Sequence, residues 1–435
     1  MKRSVGSRVV LLLTGAFAWL AFAAGLAHGQ TAAARPAPDP EAGRQAYTDN
    51  CARCHGATGA GDGRDARRMH PRPRKLSEGV FKFRTTASGT PPTDEDLYQT
   101  ISEGLPGSRM PEFQRLPEET RWHLVYYVKG LSPIFQEQKP EPLDLGKDPG
   151  PARANLQHGK ELYAQLGCNA CHGNTGRADG PSAATLVDQW AEPIRAADLT
   201  QGWSYRSGSA PRDIMARLMT GIDGTPMPSY AEAVKPEEVW DLAYYVQSLQ
   251  APPRWGRTAE ATRVEGAMPV NPDDPSWQKA PRTDLKLSNL FYRDGEIVPA
   301  SARACSVQAL YNENELAFRL SWHDATESRE APADAAAVVF LPEHGAKWRT
   351  GSLRSWPAEQ GASNLESMQW SAAEPSAGGA PAASYAEGEW AVVLRRSFQS
   401  PRPARSAFGV AVWDGGNAEQ GRHRANSSWV DLVLR

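Results

Sequence analysis

The same five-residue pattern, Cys-x-x-Cys-His, occurs twice in this chain, at residues 51–55 and again at residues 168–172. The second copy begins 117 positions after the first, and other residues on its C-terminal side repeat with the same offset. The repeated positions are Gly56, Thr58, Gly59, Asp62, Gly63, Gly104 and Gly107, which return as Gly173, Thr175, Gly176, Asp179, Gly180, Gly221 and Gly224. A repeat of this length predicts two copies of one compact module.

Each Cys-x-x-Cys-His motif is typical of covalent c-type haem attachment. We expect the cysteine thiols to bond to the haem vinyl groups and each adjacent histidine to bind the iron. The expected residues are Cys51, Cys54 and His55 in the first copy, and Cys168, Cys171 and His172 in the second. The rival interpretations are a redox dithiol and half of a zinc site. No βαβ pattern of the thioredoxin type surrounds the motifs, and a zinc site would need two further ligands for each motif.

The second axial ligand is predicted by comparing the two copies. Met110 lies 55 residues after His55, and Met227 lies 55 residues after His172. Each of these methionines is followed by a proline. A single methionine usually fills space in a core, but two methionines at one spacing indicate a pair of iron ligands.

Predicted helices complete each copy. The segments Leu116-Pro-Glu-Glu and Lys235-Pro-Glu-Glu are typical helix starts, and shorter helices over 43–50 and 159–166 lead into the cysteine motifs. With these features, residues 41–252 resemble a tandem pair of class I cytochromes c. The resemblance implies an all-α domain at 41–134, a linker at 135–154 and a second all-α domain at 155–252. Histidine–methionine ligation fills both axial positions of an iron, which favours electron transfer over catalysis.

The C-terminal part of the chain has a different pattern. Residues 316–322 alternate between apolar and polar side chains, and further strands are predicted at 337–341, 390–394, 407–413 and 429–434. Short strands between Gly, Pro and Ser loops predict an all-β sandwich at 274–435, preceded by a linker at 253–273. The predicted fold class is therefore multidomain, with two all-α cytochrome c domains followed by an all-β sandwich.

Several segments of this sandwich resemble the ethylbenzene-dehydrogenase γ-subunit family. They are residues 276–281, 307–324, 388–396 and 408–417, the last reading Phe-Gly-Val-Ala-Val-Trp-Asp-Gly-Gly-Asn. The resemblance implies a partnership with a molybdenum catalytic subunit of the dimethyl-sulfoxide-reductase superfamily, acting on nitrate, nitrite, chlorate, selenate or hydrocarbons. It also implies an iron–sulfur subunit, a soluble or membrane electron carrier, and one b-type haem held by a methionine and a lysine.

The ligand positions for that b-type haem depart from the family. Arg424 stands where the lysine is expected, and arginine, which stays protonated, is a poor iron ligand. The segment 351–357, where the methionine is expected, contains none. His423 and Met368 are the remaining candidate pair. We expect a sandwich without haem b, because Arg424 would bring an unpaired charge next to the iron.

The N-terminus predicts export. Lys2, Arg3 and Arg8 precede an apolar run at 9–24, and small residues then offer a cleavage site after Gly29. The predicted signal peptide is residues 1–29, and the mature protein is expected in the periplasm without a membrane-spanning segment. The chain carries 48 basic and 50 acidic side chains, so no basic excess supports nucleic-acid binding.

These features predict a dihaem c-type electron-transfer subunit of a periplasmic molybdenum oxidoreductase, with no catalytic residues of its own. The first alternative is a stand-alone haem enzyme, such as a peroxidase or small-molecule dehydrogenase, which would need an open haem site. The second is a ligand-binding sandwich module tethered to a cytochrome, because fold alone does not fix function.

Overall fold

The structure is a computed structural model. It describes residues 35–435 apart from residues 70, 107, 289, 294–295, 341–366, 374–382, 399–404 and 422. The predicted signal peptide lies outside the described residues.

The N-terminal half of the chain is helical and contains two similar modules, called module 1 and module 2. The helices of module 1 are α1 (Pro40–Asn50), α2 (Ala52–His55), α3 (Asp94–Glu103), α4 (Glu118–Gly130) and α5 (Ile134–Glu137). Those of module 2 are α6 (Leu156–Gln165), α7 (Asn169–His172), α8 (Pro211–Thr220) and α9 (Pro236–Ser248). The four predicted helices correspond to α1, α4, α6 and α9.

Helices α3 and α8 were not among the predicted elements. Helix α3 begins with a capping box, in which the Thr93 hydroxyl accepts from the Asp96 backbone N–H and the Asp96 carboxylate accepts from that of Thr93. Helix α8 begins with Pro211, and Asp213 accepts from the Ala210 N–H. The Thr-x-x-Asp spacing before an apolar helix face is the local signal that could have revealed α3.

In each module the first helix packs against the last long helix, α1 against α4 and α6 against α9. A tyrosine pair lies at each of these contacts: the rings of Tyr47 and Tyr127 are 5.1 Å apart, and those of Tyr163 and Tyr245 are 5.6 Å apart. Long loops and 3₁₀ turns connect the helices, and isolated bridges join Thr86 to Pro142 and Val187 to Pro193. The description "all-α" is therefore too strict, because much of each module is loop.

The C-terminal part is rich in strands. The strands are β1 (Thr258–Arg263), β2 (Thr283–Ser288), β3 (Leu290–Arg293), β4 (Glu296–Pro299), β5 (Ala304–Tyr311), β6 (Glu315–His323), β7 (Ala335–Phe340), β8 (Ser367–Ser371), β9 (Ala383–Ala386), β10 (Glu389–Ser397), β11 (Arg405–Trp413), β12 (Ala425–Ser427) and β13 (Val430–Leu434). Strands β3 and β4 form a separate hairpin.

The remaining strands make two packed layers. One layer contains β5, β6, β10 and β9, and the other contains β8, β7 and β11, while β1 with β13 and β2 with β12 connect them. Aromatic rings pack between the layers: the ring centre of Phe318 on β6 lies 5.0 Å from that of Phe408 on β11 and 5.9 Å from that of Phe340 on β7. Every second residue of β6, from Leu316 to Trp322, belongs to this core.

Both segments predicted as linkers are ordered against a neighbouring domain. Residues 258–263 form β1, which pairs in parallel with β13 and β5. Its buried residues Ala259 and Ala261 are too small to give a visible hydrophobic alternation. In the segment predicted as a linker at 135–154, the Leu145 carbonyl accepts from the indole N–H of Trp240 at 2.8 Å. The Asp148 carboxylate accepts from the Tyr244 hydroxyl at 2.8 Å.

Buried charges join the modules to each other. The fully buried side chain of Arg84 forms a 2.8 Å ion pair with Asp223 and donates to the Thr220 carbonyl, so it links module 1 to module 2. Module 2 in turn contacts the sandwich through ion pairs from Arg177 to Glu389 at 2.8 Å and from Arg195 to Asp414 at 3.4 Å.

Candidate haem-binding sites

In module 1, the end of α1 and the single turn of α2 position the cysteine motif. The Cys51 N–H continues the α1 hydrogen bonding to Tyr47, and the His55 N–H donates to the Cys51 carbonyl at 2.9 Å. Two longer-range contacts then fix the turn. The Tyr47 hydroxyl donates to the Gly56 carbonyl at 2.8 Å, and Nδ1 of His55 lies 2.9 Å from the Arg74 carbonyl oxygen.

Module 2 repeats this arrangement contact for contact. The His172 N–H donates to the Cys168 carbonyl at 2.9 Å, and the Tyr163 hydroxyl donates to the Gly173 carbonyl at 2.7 Å. Nδ1 of His172 lies 2.8 Å from the Ala197 carbonyl oxygen. The sequence repeat therefore corresponds to a repeated local structure around both histidines.

The backbone acceptor decides which ring nitrogen of each histidine is available. A carbonyl oxygen only accepts hydrogen bonds, so Nδ1 of His55 and of His172 carries the proton, and Nε2 keeps its lone pair for a metal. Burial lowers the pKa of both histidines below its ordinary value. Burial therefore favours the neutral imidazole, which is the form that binds iron, and the carbonyl acceptor selects its tautomer.

The four motif cysteines are free thiols in this structure. Burial raises the pKa of Cys51 to about 12 and also raises the pKa of Cys54 and of Cys168. A reactive dithiol needs a lowered thiol pKa, so these environments do not suit redox exchange. Within the described part of the chain, the cysteines also do not belong to any group of three His, Cys, Asp or Glu ligands near enough to share a metal. The zinc and dithiol alternatives therefore find no support in the geometry.

The two methionines lie on loops of matching conformation. In module 1 the Leu105 N–H donates to the Met110 carbonyl at 3.1 Å, and the Ser108 hydroxyl accepts from the Met110 N–H at 3.1 Å. In module 2 the Ile222 N–H donates to the Met227 carbonyl at 3.1 Å, and the Thr225 hydroxyl accepts from the Met227 N–H at 3.3 Å. Both methionine side chains are half-buried.

Arg74 contacts both modules. Its carbonyl accepts from His55, whereas its guanidinium carbon lies 4.7 Å from the ring centre of Trp190 in module 2. A methyl group built at Gly224, three residues before Met227, would lie 3.1 Å from Nη1 of Arg74. Arg74 therefore borders the methionine loop of module 2.

The terminal nitrogens of Arg74 supply a test of whether a haem fits. Nη1 and Nη2 are both buried and have no hydrogen-bond partner in the structure. Burial, and then the positive charges of Arg303 and Arg74, lower the pKa of Arg206 to about 10. Buried guanidinium groups with unfilled donors suit the carboxylates of haem propionates. With free thiols and an available Nε2, the residues present fit a covalently bound haem. The sequence pattern did not single out Arg74, because its position depends on the packing of the two modules.

The candidate ligands of a b-type haem lie in different parts of the sandwich. Met368 is on β8 in the sandwich core and pairs with Val338 of β7. His423 is buried just before β12, which pairs with β11. Strands β7 and β11 separate β8 from β12, which corresponds to about 14 Å along the sheet. The structure does not place Met368 and His423 on neighbouring strands.

Arg424, at the expected lysine position, is held by other groups. Its Nε donates to the Asn426 side chain at 2.8 Å, and Nη1 donates to the Gly421 carbonyl at 2.6 Å. The guanidinium also lies 5.7 Å from the ring centre of Trp413.

Family models match both modules. Residues 156–250 match the cytochrome c model, and residues 38–128 match the model of cytochrome c oxidase, cbb3-type, subunit III. Every helix in the described residues is too short or too polar to cross a membrane.

Three similar proteins give further comparisons. The chain is 27% identical over 220 residues to the cbb3-type cytochrome c oxidase subunit CcoP of Azospirillum sp. (strain B510), covering 48% of this chain and 61% of that subunit. It is 27% identical over 207 residues to the chlorate reductase subunit gamma of Ideonella dechloratans, covering 42% of this chain and 87% of that subunit. A chain from the reducing HAO-like protein complex of Kuenenia stuttgartiensis shares 42% identity and a TM-score of 0.47, covering 50% of this chain and all of that chain.

The two family matches coincide with the two modules that hold the repeated cysteine and histidine geometry. The N-terminal half of this chain consists of cytochrome c domains, and the protein is a cytochrome c electron-transfer protein with a strand-rich C-terminal domain.

Proposed function

We propose that each module binds one haem c. Cys51 and Cys54 would hold the first haem, with His55 and Met110 as its axial ligands. The corresponding residues of the second haem are Cys168, Cys171, His172 and Met227. A bound haem supplies one-electron redox chemistry, whereas the protein orients each imidazole through the carbonyls of Arg74 and Ala197.

The observation that carries this proposal is the repeated hydrogen bond at Nδ1 of each histidine. It leaves Nε2 available in both modules and raises the basicity of the ligand. A histidine on an apolar face without a metal role would not need the same acceptor geometry in two separate modules.

Haem counting tests this proposal on the full protein. A pyridine haemochrome assay should give two c-type haems per chain. Met110→Ala should remove the low-spin histidine–methionine signature of one haem, whereas Met69→Ala, at another half-buried methionine of module 1, should leave the spectrum unchanged. One haem per chain, or an unchanged Met110→Ala spectrum, would contradict the proposal. A high-spin wild-type spectrum would instead favour the peroxidase alternative.

The proposed role is electron transfer to or from a periplasmic molybdenum oxidoreductase. The similarity to a chlorate reductase γ subunit supports it, as does the resemblance of the sandwich to the ethylbenzene-dehydrogenase γ family. The chain spans 61% of the CcoP subunit, so the activity of that whole protein does not transfer to this one.

The contacts within the chain suggest how such a subunit works. Module 2 contacts module 1 through Arg84 and the sandwich through Arg177 and Arg195. We therefore assign the sandwich as the docking domain for the molybdenum and iron–sulfur subunits, and the two modules as the relay to the electron carrier.

Native purification tests this partnership. The protein should copurify from the periplasm with a much larger molybdenum and iron–sulfur protein. A lone monomer in the native extract, with both haems present, would argue against the partner while leaving the haem assignment intact.

We also propose that the sandwich binds no haem b. Acid–acetone extraction of the full protein should release almost no porphyrin, because c-type haems stay covalently bound. Stoichiometric extractable haem would contradict this, and His423→Ala would then test whether His423 is its ligand.

A further inference from the structure

Three buried aspartates meet at one edge of the sandwich. Asp324 directly follows β6, Asp334 directly precedes β7, and Asp414 directly follows β11. Their side chains are 0–2% exposed, and one carboxylate oxygen from each lies within 4.8 Å of the other two. We call these three residues the aspartate cluster.

The hydrogen bonds of the cluster leave one oxygen without a partner. Asp334 accepts from the Ser328 and Gly415 backbone N–H groups and from the indole N–H of Trp390. Asp324 accepts through Oδ1 from the Thr326 N–H at 3.1 Å. Its other oxygen, Oδ2, is buried and has no partner in the structure. A buried acceptor without a donor costs about 1–3 kcal/mol, and more when it is charged.

Positive charge is also scarce at this edge. Among the described residues, the cluster forms an ion pair with Arg195, whose Nη2 lies 3.4 Å from Oδ2 of Asp414. The Arg195 side chain is half-exposed. One partly solvated guanidinium faces three buried carboxylates, and buried charges require close partners or a metal. The cluster therefore has both an unfilled oxygen and a deficit of positive charge.

We propose that Asp324, Asp334 and Asp414 bind a Ca²⁺ ion. Calcium takes six to eight oxygen ligands at 2.3–2.6 Å in flexible geometry, so two oxygens on opposite sides of the ion lie about 5 Å apart. The separations in the cluster fit this range. Magnesium demands a strict octahedron and retains several waters, which suits a buried three-carboxylate site less well. Zinc prefers nitrogen and sulfur ligands, which the cluster lacks.

The glycines of the Asp-Gly-Gly-Asn segment allow the chain to form this site. A methyl group built at Gly415 would lie 2.1 Å from the Pro332 carbonyl oxygen, and one at Gly416 would lie 2.2 Å from Oγ1 of Thr326. Any larger residue would push β11 away from the 324–334 loop. The motif that resembles the γ-subunit family therefore brings Asp414 against Asp324 and Asp334.

A calcium ion here would stabilise the edge of the sandwich that contacts module 2. The Asp414 carboxylate belongs to the cluster and also forms the ion pair with Arg195 of module 2. The ion would connect the ends of β6, β7 and β11, so the 324–334 loop would open less often to proteases.

Calorimetric titration of the full haem-loaded protein tests the proposal. After removal of metals with a chelator, CaCl₂ added to about 10 mM should bind at one site per chain and raise the unfolding temperature of the sandwich. MgCl₂ at the same concentration should have a clearly smaller effect. Absence of calcium binding to the wild-type protein would overturn the proposal without any variant.

A matched pair of variants locates the site. Asp324→Asn should weaken calcium binding by at least about tenfold and remove the calcium-dependent rise in unfolding temperature. The control is Asp284→Asn, because Asp284 is equally buried in the sandwich but pairs with Arg282 and Ser306 outside the cluster. It should keep wild-type calcium affinity even if its stability falls. Equal affinity in both variants would place the ion elsewhere and overturn the proposal. If Asp324→Asn does not fold, the wild-type titration and Asp414→Asn take its place.

Discussion

Modules 1 and 2 hold their histidines in the same way, but they differ in the residue that supplies the acceptor. The carbonyl comes from Arg74 in module 1 and from Ala197 in module 2. Because a backbone group makes the contact, the side chain at that position is free to differ. Module 1 uses this freedom to extend a guanidinium toward module 2. The two proposed haem sites would therefore have different electrostatic surroundings without any change in their ligands.

The largest stability effect should come from the contact between the modules. Arg84→Met should lower the free energy of unfolding by about 3 kcal/mol, because it leaves Asp223 and the Thr220 carbonyl without their buried partner. Thermal unfolding of the haem-loaded protein measures the change. If Arg84→Met unfolds like the wild type, the two modules do not depend on this contact.

The second-largest loss of stability should be equal in the two modules. Tyr47→Phe and Tyr163→Phe each remove a buried hydrogen bond to the glycine carbonyl that follows the histidine. Each should lower the free energy of unfolding by about 1–2 kcal/mol. Denaturant titration of both variants checks the equivalence, and a cost in only one module would show that the repeated contacts are not energetically equivalent.

Arg74 should make the reduction potentials of the two proposed haems differ. Arg74→Gln removes a buried positive charge beside the Met227 loop, and a nearby positive charge favours the reduced iron, so the potential of the module 2 haem should fall. Histidine ligation in module 1 should remain, because the residue 74 carbonyl is retained.

Redox titration followed by absorbance measures this change. The control is Arg115→Gln, which removes the same charge from an exposed position where solvent and salt screen it. Equal shifts in the two variants would show that net charge, and not the burial of Arg74, sets the potential.

The smallest effect should come from the contact between module 2 and the sandwich. Arg177→Ala breaks a partly exposed ion pair with Glu389 and should cost less than about 1 kcal/mol. Comparison of its unfolding at low and high salt provides the check, since the cost should disappear as salt screens the pair. A cost that persists at high salt would indicate lost packing in place of lost charge.

The sequence predicted the parts of the fold that depend on local patterns. The cysteine motifs, the proline-initiated helices α4 and α9, and the alternating strand β6 all carry their signal within a few residues. Strand β1 was missed because alanines form its buried face. Arg74 and the aspartate cluster could not be predicted, because their neighbours come from distant parts of the chain. Residues 324, 334 and 414 come together only once β6, β7 and β11 have paired and packed.

The segment between the two modules has a kinetic consequence. It is tied to module 2 by the contacts of Leu145 with Trp240 and of Asp148 with Tyr244, and Pro142 bridges back to Thr86 in module 1. A flexible tether would make exchange between its two ends depend on tether length through an effective concentration. Here the fold fixes the separation, so electron exchange between the proposed haems would need no diffusion of one module toward the other. Its first-order rate should not change when solvent viscosity changes.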